Sequence, residues 1–466
     1  MHHRQSQWAV VVALLSGLAA SCSSDDGTRP SGTNPADRGQ SSAAPATADS
    51  VPDLGLPNTP PGTQLAWVLG RGGSATLDDV VARFSPLFLA SVPASEVVPV
   101  LQQMGDVAVL STSEPDPNTL IATVQGSDGA ITTATIVVES TEPYLIVGLL
   151  FAPAEPPASH TTWADVDSRL DALATTTSLL AAEVVADGSF VVAHDRNPDE
   201  TGAIGSAFKL YVLGMLTDRI AGGDLSWTDE LTITASNKSL PSGQLQDRPD
   251  GSTVTISEAA VLMISISDNT ATDLLIDAVG RDLIEQILPA MGMGEDSQSR
   301  TLPLLTTREF FILKWATERA ERDAYIAAGV QERRRILTTL PAGLPSIDRF
   351  DPATPNAIDG IEWFASASEL ARAQLWIDSQ RGLPGQEPLE QVLAANPGVD
   401  LDPQVWTRSS FKGGSEPGVV TMSWLLTRAD GKRFVLSLIA NDTSRAVDEL
   451  DAASIAIGVI GLLETA

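Results

Sequence analysis

The chain has one cysteine, Cys22, and only four histidines among its 466 residues. A single cysteine cannot form an internal disulfide, and so few histidines leave a Ser-His-Asp site without support and would make a metal site almost entirely carboxylate. We therefore expect neither a metal nor a cofactor. Basic residues are also scarce. The chain has 29 Lys and Arg residues and 59 Asp and Glu residues, which gives a formal charge of −30. Such a charge repels phosphate backbones, so we expect no nucleic-acid partner.

Long apolar runs are missing as well, and the run at Ala453–Leu463 is typical of a core-packed terminal helix. Near the N-terminus, Trp8–Ala20 follows a short basic stretch and is too short to span a membrane. Small residues then lead into Cys22, which resembles a bacterial lipoprotein signal except that the usual Leu is Ala19. We predict a signal peptide at 1–21, lipidation of Cys22, and an exported protein on the outer face of the cell membrane. The alternative is a plain secretory signal with an incidental cysteine.

Composition divides the rest of the chain into three parts. Residues 22–61 are rich in Ser, Thr, Pro, Gly, Ala and Asp, which predicts a flexible linker. Residues 62–155 carry helical patterns at Leu77–Phe84 and Glu96–Met104, followed by strand-like runs. The strand-like runs are Val107–Ser111, Leu120–Val124, Ala130–Val138 and Tyr144–Phe151. The order predicts a small α+β domain, which has no evident catalytic cluster and serves packing or substrate shaping.

Residues 156–466 predict a larger α+β or α/β domain. A helix at Thr162–Leu179 precedes short strands, a long helical middle follows, and two strands joined by Asp430-Gly431 come before a terminal helix from about Val447. The predicted strands are Ala182–Val185, Ser189–His194, Val419–Thr427 and Arg433–Ala440. Strands at both ends of the segment indicate a central antiparallel sheet closed by sequence-distant partners, with a helical lobe beside it.

The first candidate motif is Ser206-Ala207-Phe208-Lys209, which follows Gly205 and opens an apolar helical run. A spacing of three puts Ser206 and Lys209 on one helix face, where a lysine amine can reach the hydroxyl. A serine hydroxyl needs such a base to become nucleophilic, and backbone N–H groups at a helix N-terminus favour negative charge. Alone, this motif is common by chance.

Two further motifs follow along the chain. In Ser267-Asp268-Asn269, the Ser267 hydroxyl can relay a proton, and the Asn269 amide can orient a substrate carbonyl. The alternative is that this motif only caps the next helix. Lys412-Gly413-Gly414-Ser415 offers a cation for a substrate carboxylate, Gly414 for close backbone approach, and the Ser415 N–H as an oxyanion donor beside that of Ser206. The competing interpretation is a glycine bulge at a strand start.

The order Ser-x-x-Lys, Ser-Asp-Asn, Lys-x-Gly resembles the three-motif signature of serine β-lactamases and penicillin-binding proteins. The stretch from Leu240 to Leu275 is similar to the class A pattern, and the likeness covers roughly 156–466. The front domain and the Lys412–Gly418 segment resemble a subgroup of actinobacterial lipoproteins and the clavulanate-cluster β-lactamase-like protein, whose front domain resembles a steroid isomerase. The resemblance implies Ser206, Lys209 and Ser267 as catalytic residues, and Asn269, Lys412, Gly414 and Ser415 as substrate-binding residues.

Two positions depart from the family pattern. Gly413 replaces the usual threonine of the third motif, and no Glu-x-x-Leu-Asn loop, which carries the deacylating glutamate of class A enzymes, lies between the second and third motifs. Glu362 is one candidate substitute. We expect slow hydrolysis of an acyl-enzyme formed from β-lactams, esters or D-Ala-D-Ala-like amides. The alternatives are a working β-lactamase that uses Glu362, and a non-catalytic envelope lipoprotein that binds cell-wall peptide or a partner through its front domain.

Overall fold

The computed structural model describes most of the chain from Leu54 onward. The described ranges are 54–85, 88–89, 94–102, 107–116, 118–126, 131–139, 141–153, 162–239, 242–341 and 354–465. The predicted signal peptide, Cys22, most of the linker and His160 lie outside these ranges, so their predictions stand as sequence predictions. Among the helices of these ranges, none combines the length and the apolar character that a membrane crossing requires.

The described residues form two compact units, which divide after residue 157. Within the described ranges, the first unit includes three α-helices and a four-stranded antiparallel meander in the order β1-β2-β3-β4. The helices are α1 Pro60–Arg71, α2 Leu77–Arg83 and α3 Ala94–Gln102, and the strands are β1 Val107–Asp116, β2 Thr119–Gly126, β3 Ile131–Val138 and β4 Ile146–Pro153. The sequence pattern missed α1, whose two leading prolines read as part of the linker.

Alternate residues of the meander build the core of the first unit. Leu120, Ala122 and Val124 of β2 are buried, and they form one cluster with Leu65 of α1 and Val80 of α2. The period of two is the expected signature of a sheet with one face covered by helices. The likeness of this unit to a steroid isomerase stays a prediction.

The second unit holds nine strands and twelve helices within the described ranges. The strands are β5 Thr176–Val184, β6 Phe190–Arg196, β7 Gly202–Ala203, β8 Glu230–Thr232, β9 Thr253–Thr255, β10 Phe364–Ala365, β11 Trp406–Glu416, β12 Val419–Arg428 and β13 Arg433–Asn441. The helices are α4 Trp163–Leu173, α5 Lys209–Ala221, α6 Ile256–Ser265, α7 Asn269–Val279, α8 Arg281–Ile287, α9 Glu295–Thr301, α10 Thr307–Phe311, α11 Arg319–Ala327, α12 Val330–Leu337, α13 Ala367–Ser379, α14 Leu389–Ala394 and α15 Glu449–Leu463.

Five of these strands form an antiparallel sheet in the order β11-β12-β13-β5-β6. β13, near the end of the chain, pairs with β5 along its whole length, with Ser437 opposite Leu180. Helices α4 and α15 cover one face of the sheet, and α13 covers the other. The predicted antiparallel sheet, closed by strands distant in sequence and accompanied by a helical lobe, is confirmed.

The helical lobe is built around α5. Every side chain from Lys209 to Thr217 is buried, and the lobe packs as one apolar cluster around this helix. A helix that is buried on all sides has little freedom to shift, because protein interiors are close-packed. The start of α5 is therefore a rigid base for the residues that precede it.

One predicted element was wrong. The helix expected at Thr162–Leu179 ends at Leu173, and Thr176–Val184 forms β5 instead. The residues after Ala174 are threonines and a serine, which favour a strand, and this segment gains a full ladder of hydrogen bonds with β13. Tertiary pairing overrode the apolar pattern that had suggested a longer helix.

Candidate active site

Ser206 lies on a sharp turn between β7 and α5. Gly205, directly before it, has φ of 48°, a left-handed conformation that favours glycine. The approach to the turn is fixed because β7 pairs with β10, and the Phe208 ring stacks on the Trp363 ring with 3.8 Å between centroids. The turn therefore presents Ser206 at the start of the buried helix, in the helical setting that the motif predicted.

The Lys209 side chain is fully buried and points toward the second motif. Its Nζ donates to Ser267 O at 2.6 Å, Ser267 Oγ at 2.9 Å and Asn269 Oδ1 at 2.7 Å. These three bonds use every proton of an ammonium group, and within the described residues none goes to the Ser206 hydroxyl. A neutral amine would keep two N–H groups and gain a lone pair that can accept a proton.

Ser267 is the point at which the motifs meet. Its hydroxyl lies 2.9 Å from Lys209 Nζ and 3.1 Å from Lys412 Nζ, and its backbone has φ of 58°. A non-glycine residue in this conformation carries a strain that the surroundings must hold in place. The Asp268 carboxylate does so from the next position, because it accepts from the N–H groups of Ala271 and Gln244 and thereby joins the start of α7 to the facing loop. The capping role and the relay role of this motif are thus compatible.

The third motif lies within β11, the edge strand of the sheet, rather than at a strand start. Lys412 is buried, and its Nζ also donates to Gly413 O at 2.6 Å. The strand runs against the Ser206 turn at Gly414, where a Cβ atom would lie 2.6 Å from Ser206 N and would overlap Ile204 O. A Cβ on Gly205 would in turn lie 3.2 Å from Ser415 N. Two glycines thus let the backbone N–H groups of Ser206 and Ser415 come close together.

We expect Gly414→Ala to disrupt this contact. The added methyl group meets backbone atoms that cannot rotate away, so β11 must move off the turn and separate the two N–H groups. We predict a loss of about 1–3 kcal/mol in the free energy of unfolding, and a fall of about 100-fold in the rate of covalent labelling of Ser206, comparable to the loss of an oxyanion donor. Gly461→Ala, in α15 with open space around it and an ordinary helical backbone, is the control for labelling. Unchanged labelling of Gly414→Ala would contradict the proximity argument.

Burial shifts the charge state of both lysines. Removal from water lowers the pKa of Lys209 well below its usual value, and the nearby Lys412 lowers that pKa further, against the pull of Asp268 and Asp273. Burial lowers the pKa of Lys412 to about 7. The cluster thus favours a neutral Lys209, the form that a base requires.

The structure shows what surrounds the two departures from the family pattern, namely Gly413 in place of threonine and Glu362 as the candidate substitute for the deacylating glutamate. A Cβ on Gly413 would lie 2.9 Å from the ring of Phe411, so the ring occupies space that a threonine side chain would need. Glu362 is fully buried beneath the Ser206 turn, where its Oε2 accepts from Gly205 N at 3.2 Å and Trp363 N at 3.1 Å. Its other oxygen accepts from Lys314 Nζ at 3.3 Å.

Sequence reasoning missed several of the supporting residues. Lys314 and Glu416 flank Glu362, and the Thr307 hydroxyl lies within hydrogen-bond distance of two acceptors, Asn269 O at 3.1 Å and Asp273 Oδ1 at 2.8 Å. Burial raises the pKa of Asp273 to about 7. Glu416 directly follows the third motif within the Lys412–Gly418 segment, and the other three residues stand in no motif, so burial and pairing reveal the supporting roles.

A histidine-based site and a metal site are the two alternatives to a site built on Ser206 and Lys209. His194 lies on β6, where its Nε2 is 2.9 Å from Asp167 Oδ1 and its ring stacks on Trp163. Within the described ranges, no group of three or more His, Cys, Asp or Glu residues is arranged to hold a metal ion.

Comparison with known proteins agrees with the three-motif resemblance. The model of a β-lactamase enzyme family matches residues 166–331, which include the first two motifs, and a model described as the N-terminal part of an ORF 12 gene product matches residues 56–142. No curated protein matches the chain.

Solved structures similar to this chain are β-lactamases and a related protein named PBP-A. PBP-A is 17% identical, with a TM-score of 0.43, over 68% of this chain and 100% of its own. A β-lactamase from Sphaerobacter thermophilus is 20% identical, with a TM-score of 0.43, over 64% of this chain and 99% of its own. A class A representative from Bacteroides cellulosilyticus is 16% identical, with a TM-score of 0.45, over 65% and 97%.

The family match ends before the third motif, yet the fold brings Lys412 to the same serine that Lys209 contacts. The family match and this meeting of the motifs agree with the resemblance of residues 156–466 to serine β-lactamases and penicillin-binding proteins.

Proposed function

We propose that this domain is a serine hydrolase that transfers an acyl group from its substrate to Ser206. The observation that carries the proposal is the contact of Ser267 Oγ with both Lys209 and Lys412, beside the paired N–H groups of Ser206 and Ser415. A base, a relay hydroxyl, a cation and two oxyanion donors are the parts that acyl transfer needs. Their meeting in one place supports chemistry more strongly than any single motif does.

In the acylation step, neutral Lys209 accepts the Ser206 proton while Ser206 Oγ forms a bond to the substrate carbonyl carbon. The carbonyl oxygen takes the electron pair and is held by the Ser206 and Ser415 N–H groups. When the tetrahedral intermediate collapses, the bond to the leaving group breaks, and the proton passes from Lys209 through the Ser267 hydroxyl to that group. Asn269 and Lys412 orient the substrate. The product is an ester of Ser206, with Lys209 neutral again.

We infer that hydrolysis of this ester is slow. Both oxygens of Glu362 are occupied, one by backbone N–H groups and one by Lys314, and the side chain is buried. A general base must reach the water that it activates, so Glu362 is poorly suited to replace the family's deacylating glutamate. Acyl-Ser206 should therefore persist long enough for mass spectrometry.

We propose β-lactams, esters and D-Ala-D-Ala-like amides as the substrates. Incubation with a penicillin and, separately, with a neutral chromogenic ester tests this, with intact mass and peptide mapping as the readout. An acyl adduct on the peptide that contains Ser206 supports the proposal. Turnover without any adduct, or an adduct elsewhere, speaks against it.

The pH dependence of labelling should separate anionic from neutral substrates. Lys412, with a pKa of about 7, is an ammonium below that pH and a neutral amine above it, and only the ammonium attracts a substrate carboxylate. The ratio of penicillin labelling to ester labelling should therefore fall by about 50-fold between pH 7 and pH 9. Taking the ratio cancels the effect of Lys209, which acts in both reactions.

Lys412→Met is the control for this pH experiment. The variant has no titrating amine at this position, so the ratio should be low and flat across the range. A ratio that falls equally in the variant would assign the pH effect to another group.

A further inference from the structure

A buried charge cluster lies directly behind the Ser206 turn. Lys314, on a π-helical turn at Ile312–Ala316, contacts Glu362 Oε1 at 3.3 Å and forms an ion pair with Glu416 Oε1. The Lys314 and Glu362 side chains are fully buried, and the Glu416 side chain is 7% exposed. Lys314 Nζ also lies 4.4 Å from the centroid of the Phe310 ring. A buried cation held by two carboxylates and an aromatic face needs a reason beyond stability, because burying charges is costly.

The two carboxylates are attached to the two segments that carry the oxyanion donors. Glu362 accepts the N–H of Gly205, the residue directly before Ser206. Glu416 directly follows Ser415 on β11 and lies on the same strand face as Lys412 and Gly414, since side chains alternate along a strand. Lys314 thus connects the nucleophile turn to the edge strand through one ammonium group.

The protonation state of Glu416 sets the net charge of the cluster, and this charge affects how well the neighbouring N–H groups stabilise an oxyanion. Burial raises the pKa of Glu416 well above its usual range, and the charge of Glu362 raises it too, against the attraction of Lys314. A hydrogen bond between the Glu416 and Glu362 carboxyl groups raises the Glu416 pKa further. With a proton on Glu416, the three groups carry no net charge, so they do not repel negative charge that develops at the neighbouring N–H groups.

We propose that Lys314, Glu362 and Glu416 are positioning residues that hold the Ser206 and Ser415 N–H groups at the separation an oxyanion requires. This inference rests on the proposed function, since an oxyanion hole matters only if Ser206 reacts. It extends that function because it assigns roles to three residues outside the motifs. The cluster acts through the backbone of the turn and of β11, and does not itself contact the substrate.

An aryl boronic acid and the neutral chromogenic ester test the proposal. The boronic acid adds to Ser206 as a tetrahedral adduct whose oxygen occupies the oxyanion position, so its affinity reports directly on the two N–H groups. We expect Lys314→Met to lower boronic acid affinity and the ester acylation rate constant by about 10- to 100-fold, somewhat less than direct loss of a donor. The saturation constant for the ester should change little, since ground-state binding does not use these donors.

Glu416 provides a matched pair of variants in which the Lys314–Glu362 ion pair stays intact. Glu416→Gln mimics the protonated carboxyl group and should keep boronic acid affinity within about threefold, whereas Glu416→Leu removes the link to β11 and should lower it about tenfold. Glu369→Leu is the control, because Glu369 is also buried and accepts from Gly294 N and Ser297 Oγ without touching the turn or β11. It should lose stability but not boronic acid affinity.

The outcomes separate the two proposals. Suppose that the wild-type protein reacts with the ester and binds the boronic acid, and that Lys314→Met and Glu416→Leu have affinities and acylation rate constants within about threefold of wild type. The positioning role is then overturned, and the proposed hydrolase function stands. If wild type is captured by neither reagent, the proposed function itself fails. If Lys314→Met does not fold, the comparison of Glu416→Leu with Glu416→Gln decides the matter.

Discussion

Ser206→Ala should abolish the covalent adduct with penicillin or with a chromogenic ester. The hydroxyl is the only atom of the turn that can form the acyl bond, and its removal should lower the rate of labelling by at least about 10⁴-fold. The backbone N–H stays in place, so the turn and its packing against Gly414 should be unchanged. Intact mass after a fixed incubation, followed by peptide mapping, provides the measurement.

Ser265→Ala is the matched control for that experiment. Ser265 ends α6 next to the second motif, but its hydroxyl donates to Val261 O at 2.7 Å and takes no part in the cluster around Ser267. Its labelling should equal that of wild type. If Ser206→Ala and wild type are labelled alike, the proposed nucleophile is wrong. If neither is labelled and both bind cell-wall peptide equally, the non-catalytic envelope lipoprotein is the better description.

Replacement of Lys209 should have the second largest effect. Lys209→Met removes the amine that accepts the Ser206 proton, and we expect acylation to slow by about 10²- to 10⁴-fold, the range of general-base catalysis. Lys209→Arg should be as slow, because a guanidinium keeps the positive charge but does not release its proton near neutral pH. Stopped-flow measurement of the initial burst of chromogenic leaving group gives the acylation rate, because slow deacylation limits the steady state.

The pair of Lys209 variants distinguishes a base from a charge. Lowering of the Lys209 pKa by burial favours the neutral amine, so loss of the base is the expected cause of the defect. Lys432→Met removes one cation from an exposed ion pair with Glu183 and should react as fast as wild type. An arginine variant that reacts at the wild-type rate would show that Lys209 acts only through its charge.

The sequence predicted the sheet and the three motifs of the second unit, but not the contacts that support the candidate active site. The turn at Ser206 and the caps of α7 depend on residues three or four positions apart, and such local spacing is readable without a structure. The helix expected at Thr162–Leu179 was wrong because pairing with β13, about 250 residues further along the chain, decided the conformation of Thr176–Val184. Burial of Glu362 between the turn and Lys314 was equally invisible.

The sequence by itself predicted the resemblance to serine β-lactamases and penicillin-binding proteins, the three motifs and the closure of the sheet by distant strands, because each depends on residue types in a fixed order. Only the tertiary structure decided that Ser267 lies between two lysines, that Gly414 packs on the Ser206 turn, and that Lys314 joins Glu362 to Glu416. These contacts join segments far apart in the chain. The protonation states of the lysines and carboxyl groups that form them depend on burial, which no linear sequence pattern specifies.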